Sequence, residues 1–414
     1  MSSRFDITEI RAQFPALARR IRGQPAVYFD GPAGSQVPQR VITAVSNYLA
    51  GSNANTHGLF ATSQETDDRL SKARHAAADL FGTSESDAVV FGLNTSQLAL
   101  SLGRALSRTW GPEDEILVTD LDHDSNVSSW TLAARDAGAQ VNTVSIDPSD
   151  CTLDLKDFEA KLNSRTRFVA ISAASNAVGT VHPVAEMIER AHSVGAQVFV
   201  DAVHYAPHRS IDVTTWDCDY LACSVYKFFG PHVGLLWGKR QYMESLPVYK
   251  FRPASNAVPD RWMMGTQNHE GIAGAAEAVE YLADIGRSVL PDSTTRRAAL
   301  VAAYGAISEY ESNLVQRLID GLSGIPGVNV WGIRDPERAA QRVPTVSLTH
   351  DRATPQEIAG SLAERGIFTW TGNFYAIRLI EALGLGTDGM LRIGLLHYNT
   401  EEEVDRLLEH MREI

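Results

Sequence analysis

The sequence predicts an α/β protein: one large unit built on a mostly parallel, seven-stranded sheet, and a second, smaller α+β unit. Three observations carry this expectation. The chain has 414 residues, 44% of them hydrophobic, enough to bury one large core or two unequal ones. Between about residues 85 and 240, short β-branched runs alternate with helix-like stretches, the pattern of a βαβ series. After Gly271 the pattern turns to long helical segments with few strand-like runs. The boundaries expected are 26–290 for the large unit, with 1–25 and 291–414 forming the small one.

The strand-like runs are AVVFG (88–92), EILVTD (115–120), QVNTVSI (140–146), RFVAIS (167–172), QVFVDA (197–202), DYLACS (219–224) and VGLLWG (233–238). Between them, SQLALSLGRALSRTW, SSWTLAARDAG and VAEMIERAHSVG place apolar residues at helical spacing and end near a glycine. Beyond Gly271 come GIAGAAEAVEYLADIG and a long stretch from Arg296, then strand-like TVSLT, helix-like PQEIAGSLAERG, a strand around IFTW and an amphipathic helix from Thr400. The residues ahead of AVYFD are expected to pack against the second unit.

Composition narrows the function classes. A net charge of −13 repels polyanions over most of the surface, which disfavours nucleic acid and acidic membranes. No segment reaches the roughly 20 apolar residues of a membrane span, and the N-terminal stretch lacks the apolar centre of a secretory signal. Cys151, Cys218 and Cys223 are too few and too irregularly spaced for a disulfide frame or a zinc site, so no metal and a reducing cytoplasm are expected.

In sheets of this kind ligands bind at the carboxyl ends of the strands. Asp201 closes QVFVDA and Lys227 follows DYLACS, 26 residues on. Pyridoxal phosphate (PLP) needs this pair: a lysine for the Schiff base and an aspartate to keep the pyridine nitrogen protonated. Singly, Asp201 is equally at home as a helix cap and Lys227 as a loop residue; together at successive strand ends they favour the cofactor. Thr95 and Ser96, in GLNTSQ, open a helix after a strand, where free backbone N–H groups suit a phosphate or a simple cap. His123, in TDLDHDSN, suits a ring lying on a cofactor face, or a hydrogen-bonded loop.

In their order, VYFDGPAGSQVP, DEILVTDLDHDSNVSSW, SNAVGTVHP, VDAVHYAPHRSIDV, CSVYKFFGP and GTQNHEGIAG resemble the class V aminotransferase and cysteine desulfurase family of fold-type I PLP enzymes, over nearly the whole chain. The resemblance implies catalytic roles for Lys227, Asp201 and His123. It places Asn176 and His204 at the phenolic oxygen of the cofactor and Thr95, Ser96, Ser224 and Tyr226 at its phosphate. Gly265 and Thr266 would reach the phosphate of a neighbouring subunit, implying a homodimer with shared sites. Arg392 would grip the substrate carboxylate, although a surface arginine at a strand start is as compatible with the residues alone.

Two departures from the family pattern shape the expected chemistry. Cysteine desulfurases carry a nucleophilic cysteine on a loop that here reads TWTGNFYAIRL (369–379), with Tyr375 at that position and no cysteine after Cys223. Trp370 replaces an expected arginine. What remains is chemistry that needs only the cofactor, a base and a carboxylate clamp: a PLP-dependent carbon–sulfur lyase acting on a small amino acid or cysteine S-conjugate. Transamination, racemisation, decarboxylation-coupled deamination and a sulfur-assembly scaffold are the alternatives. Asn55, His57, Asn373 and Tyr375 are the expected substrate-side residues, with turn or core roles open for Asn55, His57 and Tyr375.

Overall fold

In the computed structural model, which describes residues 5–414, all seven runs are strands of one sheet. They are β1 (Val89–Gly92), β2 (Glu115–Thr119), β3 (Gln140–Val144), β4 (Thr166–Ser172), β5 (Gln197–Asp201), β6 (Tyr220–Ser224) and β7 (Gly234–Gly238). The order across the sheet is β1-β7-β6-β5-β4-β2-β3. Only β7 runs against its neighbours; the other adjacent pairs are parallel. Every residue of β2, β6 and β7 is buried, which is why these strands read as unbroken apolar runs: helices cover both faces.

The helices are α1 (Gln39–Gly51), α2 (Ala61–Phe81), α3 (Thr95–Leu106), α4 (Ser125–Ala137), α5 (Val184–Ser193), α6 (His269–Val289), α7 (Arg296–Ser323), α8 (Pro355–Glu364) and α9 (Glu401–Met411). On one face of the sheet, Leu98 and Leu102 of α3 and Trp130 of α4 pack on Phe168, Phe199 and Leu236. Trp130 lies 4.7 Å from both phenylalanine rings and donates its indole N–H to Asn126 at 2.9 Å, so its one polar atom is satisfied inside the core. The opposite face is covered by α2, α5, α6 and the first half of α7. At Gly286 a Cβ would collide with the Ala299 carbonyl, so glycine is what lets α6 and α7 approach.

A second sheet forms from β8 (Val328–Trp331), β9 (Thr345–His350), β10 (Trp370–Gly372) and β11 (Met390–Gly394), antiparallel and ordered β8-β9-β11-β10. Its core takes Leu314, Leu318 and Leu322 from the later turns of α7, with Leu362 of α8 and Leu407 of α9. Thr354 and Thr400 open α8 and α9 with capping boxes closed by Glu357 and Glu403. Val27 and Phe29 also belong to this second core, and Val27–Tyr28 pairs in parallel with Ile367–Phe368. The IFTW run is therefore divided, its first half pairing with the N-terminal segment and Trp370 entering the sheet. Phe14 packs edge-on to Phe229, Tyr281 and Tyr398 within the first core. Residues 1–4 of the expected small-unit segment 1–25 lie outside the described residues. Among the described residues no helix is long and apolar enough to cross a membrane.

Candidate active site

Because β7 is antiparallel to both β6 and β1, the carboxyl ends of β1, β6, β5, β4 and β2 all emerge on one edge of the sheet. A cavity of about 590 Å³ opens there. It brings together Thr95, Ser96, His123, Asn176, Asp201, His204, Ser224, Tyr226, Lys227 and Tyr375 of the residues singled out in the sequence.

Lys227 stands on the short turn after β6 and donates from Nζ to the Pro32 carbonyl. Burial, with Arg392 adding to it, lowers its pKa to about 7, against the pull of Asp201 and Asp30. A large share of this amine is thus unprotonated at neutral pH. Asp201 accepts the Val203 N–H at 2.8 Å, and burial raises its carboxyl to about 6 although Lys227 opposes the shift. Such a carboxylate is ready for a cationic partner.

His123 accepts the backbone N–H of Ser125 at Nδ1 (3.1 Å), which leaves the proton of the neutral ring on Nε2. Burial, followed by the charge of Lys227, holds its pKa down to about 4, so the ring is uncharged over the working range. Its face lies toward Tyr375, with ring centroids 5.3 Å apart.

The anion-binding end is the first turn of α3. The Asn94 side chain caps it by accepting from Gln97 at 2.9 Å; the Thr95 N–H donates to the Ser224 hydroxyl at 3.1 Å, and the two hydroxyls are 2.9 Å apart. Tyr226 stacks on His232 at 5.0 Å. His204 bonds from Nε2 to the Thr345 hydroxyl of β9 at 2.9 Å, and burial, with His208, Arg392 and Lys227 near, keeps its pKa well below the usual value. Asn176 donates to the Phe374 carbonyl at 2.8 Å while its Oδ1 is buried without a partner.

These groups fit PLP. The cavity lining combines a helix N-terminus with three hydroxyls, a buried carboxylate, an uncharged ring and an amine of low basicity. The raised Asp201 carboxyl is an acceptor that the N–H of a cationic heterocycle would satisfy, and the unpaired Asn176 Oδ1 is a second acceptor left for a bound polar group.

Arg392, on β11, is buried and is not part of the cavity wall. It donates from Nη1 to the Asn176 carbonyl at 2.8 Å, its Nε is buried with no partner, and the Phe374 ring lies 4.2 Å over the guanidinium. Burial lowers its pKa to about 9, with Asp30 opposing, which leaves it charged at neutral pH. Phe374 and Tyr375 are both left-handed, at φ 55° and 59°. Side chains there each cost on the order of 1 kcal/mol or more. Hydrogen bonds hold the turn: Asn373 Oδ1 accepts from the Tyr375 N–H at 3.0 Å, and the Tyr375 carbonyl accepts from the Asp124 N–H at 2.7 Å.

Other expected residues lie elsewhere. The Asn55 backbone carbonyl accepts from the Ser63 hydroxyl at 2.5 Å and the His57 backbone N–H donates to Asp67 at 3.0 Å, so the backbone of both shapes the turn into α2, and neither lines the cavity. Asn373 shapes the 374–375 turn instead of lining the cavity. Gly265 and Thr266 are outside it too; Thr266 lines a second cavity of about 360 Å³ beside Leu93.

Three residues escaped the sequence reading. Asp30 is a half-buried carboxylate with one buried oxygen unpartnered, raised to about 6 by loss of solvent against Arg392 and Lys227. It closes VYFD as Asp201 closes VFVD, so the same strand-end rule points to it. Asp122, fully buried and raised to about 7 by burial, accepts from the Ser172 hydroxyl at 2.5 Å and from Asn126 at 2.8 Å. Phe374 gives no signal in sequence, since nothing in its type announces a left-handed backbone.

The aminotransferase class-V family model matches residues 27–407. The chain is 29% identical over 429 residues to a cysteine desulfurase of Enterobacter sp. (strain 638), covering 99% of this chain and 98% of the relative. It is 32% identical over 421 residues to the aminotransferase-like protein FGM3 of Gibberella zeae, covering 98% of each. Among solved structures, apo cysteine desulfurase from Thermococcus onnurineus NA1 superposes with a TM-score of 0.87 at 26% identity, over 100% of this chain and 99% of that one. The cysteine desulfurase CsdA from Escherichia coli gives 0.84 at 26% identity, over 99% and 98%. With a matching family model over most of its length and a cavity whose groups suit the cofactor, the chain belongs to the aminotransferase class V family and is a PLP-dependent enzyme of the cysteine desulfurase-like kind.

Proposed function

We propose that this enzyme is a carbon–sulfur lyase that β-eliminates a cysteine S-conjugate to a thiol, pyruvate and ammonia. One observation carries the reading: Tyr375 lines the cavity where a nucleophilic cysteine would stand, while Cys151, Cys218 and Cys223 are all fully buried. Burial raises the Cys151 thiol to about 11 and pushes the other two up as well, so none is a ready nucleophile.

Bound PLP supplies an aldehyde that takes up the substrate amine and a ring that accepts electrons from its α-carbon. Lys227, once free, is the base for the α-proton, and its pKa of about 7 keeps part of it unprotonated under physiological conditions. Asp201 supplies a buried carboxylate in the same cavity for the cofactor's ring nitrogen. His123 offers a wall that stays neutral and carries an Nε2–H donor. Arg392 is the cation for the substrate carboxylate. When the Cβ–S bond breaks, its electron pair leaves with the thiolate, and the three-carbon remainder hydrolyses to pyruvate and ammonia. No protein thiol takes part.

Gly265 and Thr266, outside the lining of their own cavity, suit a role in the site of a second copy of the chain, and light scattering of the holoenzyme should then report a dimer. The lyase reading is tested by incubating holoenzyme with S-alkyl and S-aryl cysteines. Thiol and pyruvate in equal amounts are expected. A keto acid without thiol would indicate transamination instead, and release of neither product would end the proposal.

A further inference from the structure

Arg392, the cation that the proposed function assigns to the substrate carboxylate, is buried behind the cavity wall and does not line it. Its Nη1 is taken by the Asn176 carbonyl, its Nε has no acceptor although buried, and the ring of Phe374 lies 4.2 Å over its charge. Phe374 itself is nearly buried, at 8% exposure. An arginine with an unused buried N–H is poorly satisfied. The covering residue is also in an unfavourable state, because Phe374 and Tyr375 are consecutive left-handed residues with side chains.

The turn is tied to both walls of the cavity. The Phe374 carbonyl accepts from the Asn176 amide at 2.8 Å, and the Tyr375 carbonyl accepts from the Asp124 N–H at 2.7 Å, one residue from His123. Tyr375, exposed and facing the His123 ring, rides on the same turn. Arrival of a carboxylate at the unused guanidinium N–H therefore competes with the Phe374 ring and draws on strain already present in the closed turn.

We propose that Phe374 is a specificity-determining gate on Arg392: its ring holds the guanidinium closed, and a ligand enters fully only if it brings a carboxylate able to displace that ring. Amines without a carboxylate reach the cavity but leave the gate shut. The inference rests on Arg392 being the carboxylate partner, as in the proposed function, but not on the fate of any sulfur.

The test uses the holoenzyme and two probes that contain no sulfur, L-alanine and ethylamine, followed by the visible absorbance of the bound cofactor in a stopped-flow instrument. In the wild type the rate with alanine should level off at the opening rate of the gate, while the rate with ethylamine rises linearly. In Phe374→Ala the alanine plateau should rise at least tenfold, with ethylamine within twofold of wild type. Phe374→Leu, which keeps apolar bulk without the π face, should move in the same direction and serves if the alanine variant loses its cofactor. An unchanged alanine plateau, or weaker alanine binding at an unchanged ethylamine rate, would overturn the gate. Arg392→Lys separates the two layers: undiminished alanine binding in that variant would sink the carboxylate role and the gate with it, whereas lost alanine binding beside a silent Phe374→Ala would sink the gate alone.

Discussion

The rings of His123 and Tyr375 face one another across the cavity with centroids 5.3 Å apart and planes tilted by 36°. One is held neutral by burial and by a backbone N–H on Nδ1; the other stands on a strained turn, largely exposed. The space beside the pair is bounded by a flat aromatic surface, and under the proposed lyase reading that surface would favour conjugates whose sulfur carries an apolar group.

Tyr375→Ala removes that surface. Aromatic contacts contribute about 0.5–1.5 kcal/mol beyond burial. The preference in kcat/KM for S-aryl over S-methyl cysteine should accordingly fall by about threefold to tenfold, measured as thiol release from the two conjugates.

Lys227 should capture cofactor with an unusual pH profile. Its amine is reactive only when unprotonated, and its pKa is lowered to about 7 by burial and Arg392. Reconstitution of apoprotein with PLP, followed by visible absorbance, should slow as pH falls through about 7 and level off above it; an ordinary lysine would keep gaining rate toward pH 10. Arg392→Gln removes a charge that lowers this pKa, so the midpoint should move upward. Lys227→Ala should lose the absorbance and about 10³-fold or more in activity.

The three cysteines should be silent in the native protein. All are fully buried with thiols held protonated. Alkylation under native conditions should label none, and mass spectrometry after incubation with L-cysteine should find no protein persulfide; three labels should follow denaturation. A native persulfide on any of them would restore a desulfurase mechanism.

Gly286→Ala should destabilise the fold. The new methyl meets the Ala299 carbonyl at the crossing of α6 and α7, and backbone cannot yield as a flexible side chain does. A loss of about 2–3 kcal/mol is expected from overpacking, read as a lowered urea midpoint at unchanged m-value.

The large sheet was legible because its strands are buried on both faces and so appear as compact apolar runs between helical periods. The strand-end rule then delivered Asp201, Lys227 and His123, and applied to VYFD it would also have delivered Asp30. Two-residue pairing such as Val27–Tyr28 with Ile367–Phe368 is too short to leave a periodic signal, so the sharing of the N-terminal segment between cores could not be read. Position alone marks Asn55 and His57 as substrate-side residues, and in this chain their backbone atoms bond to Ser63 and Asp67 and set the turn. The closure of Arg392 by Phe374 depends on a left-handed backbone at two residues that are not glycine, a conformation that residue type does not advertise.

The pairing of Val27–Tyr28 with Ile367–Phe368 also sets an order of assembly. During synthesis the seven-stranded sheet has all of its strands once Gly238 has left the ribosome, while Val27 and Phe29 must wait, apolar and uncovered, for partners made near the far end of the chain. Val27 and Phe29 therefore lack their native cover for most of translation, and a chain cut short before Ile367 would leave them exposed.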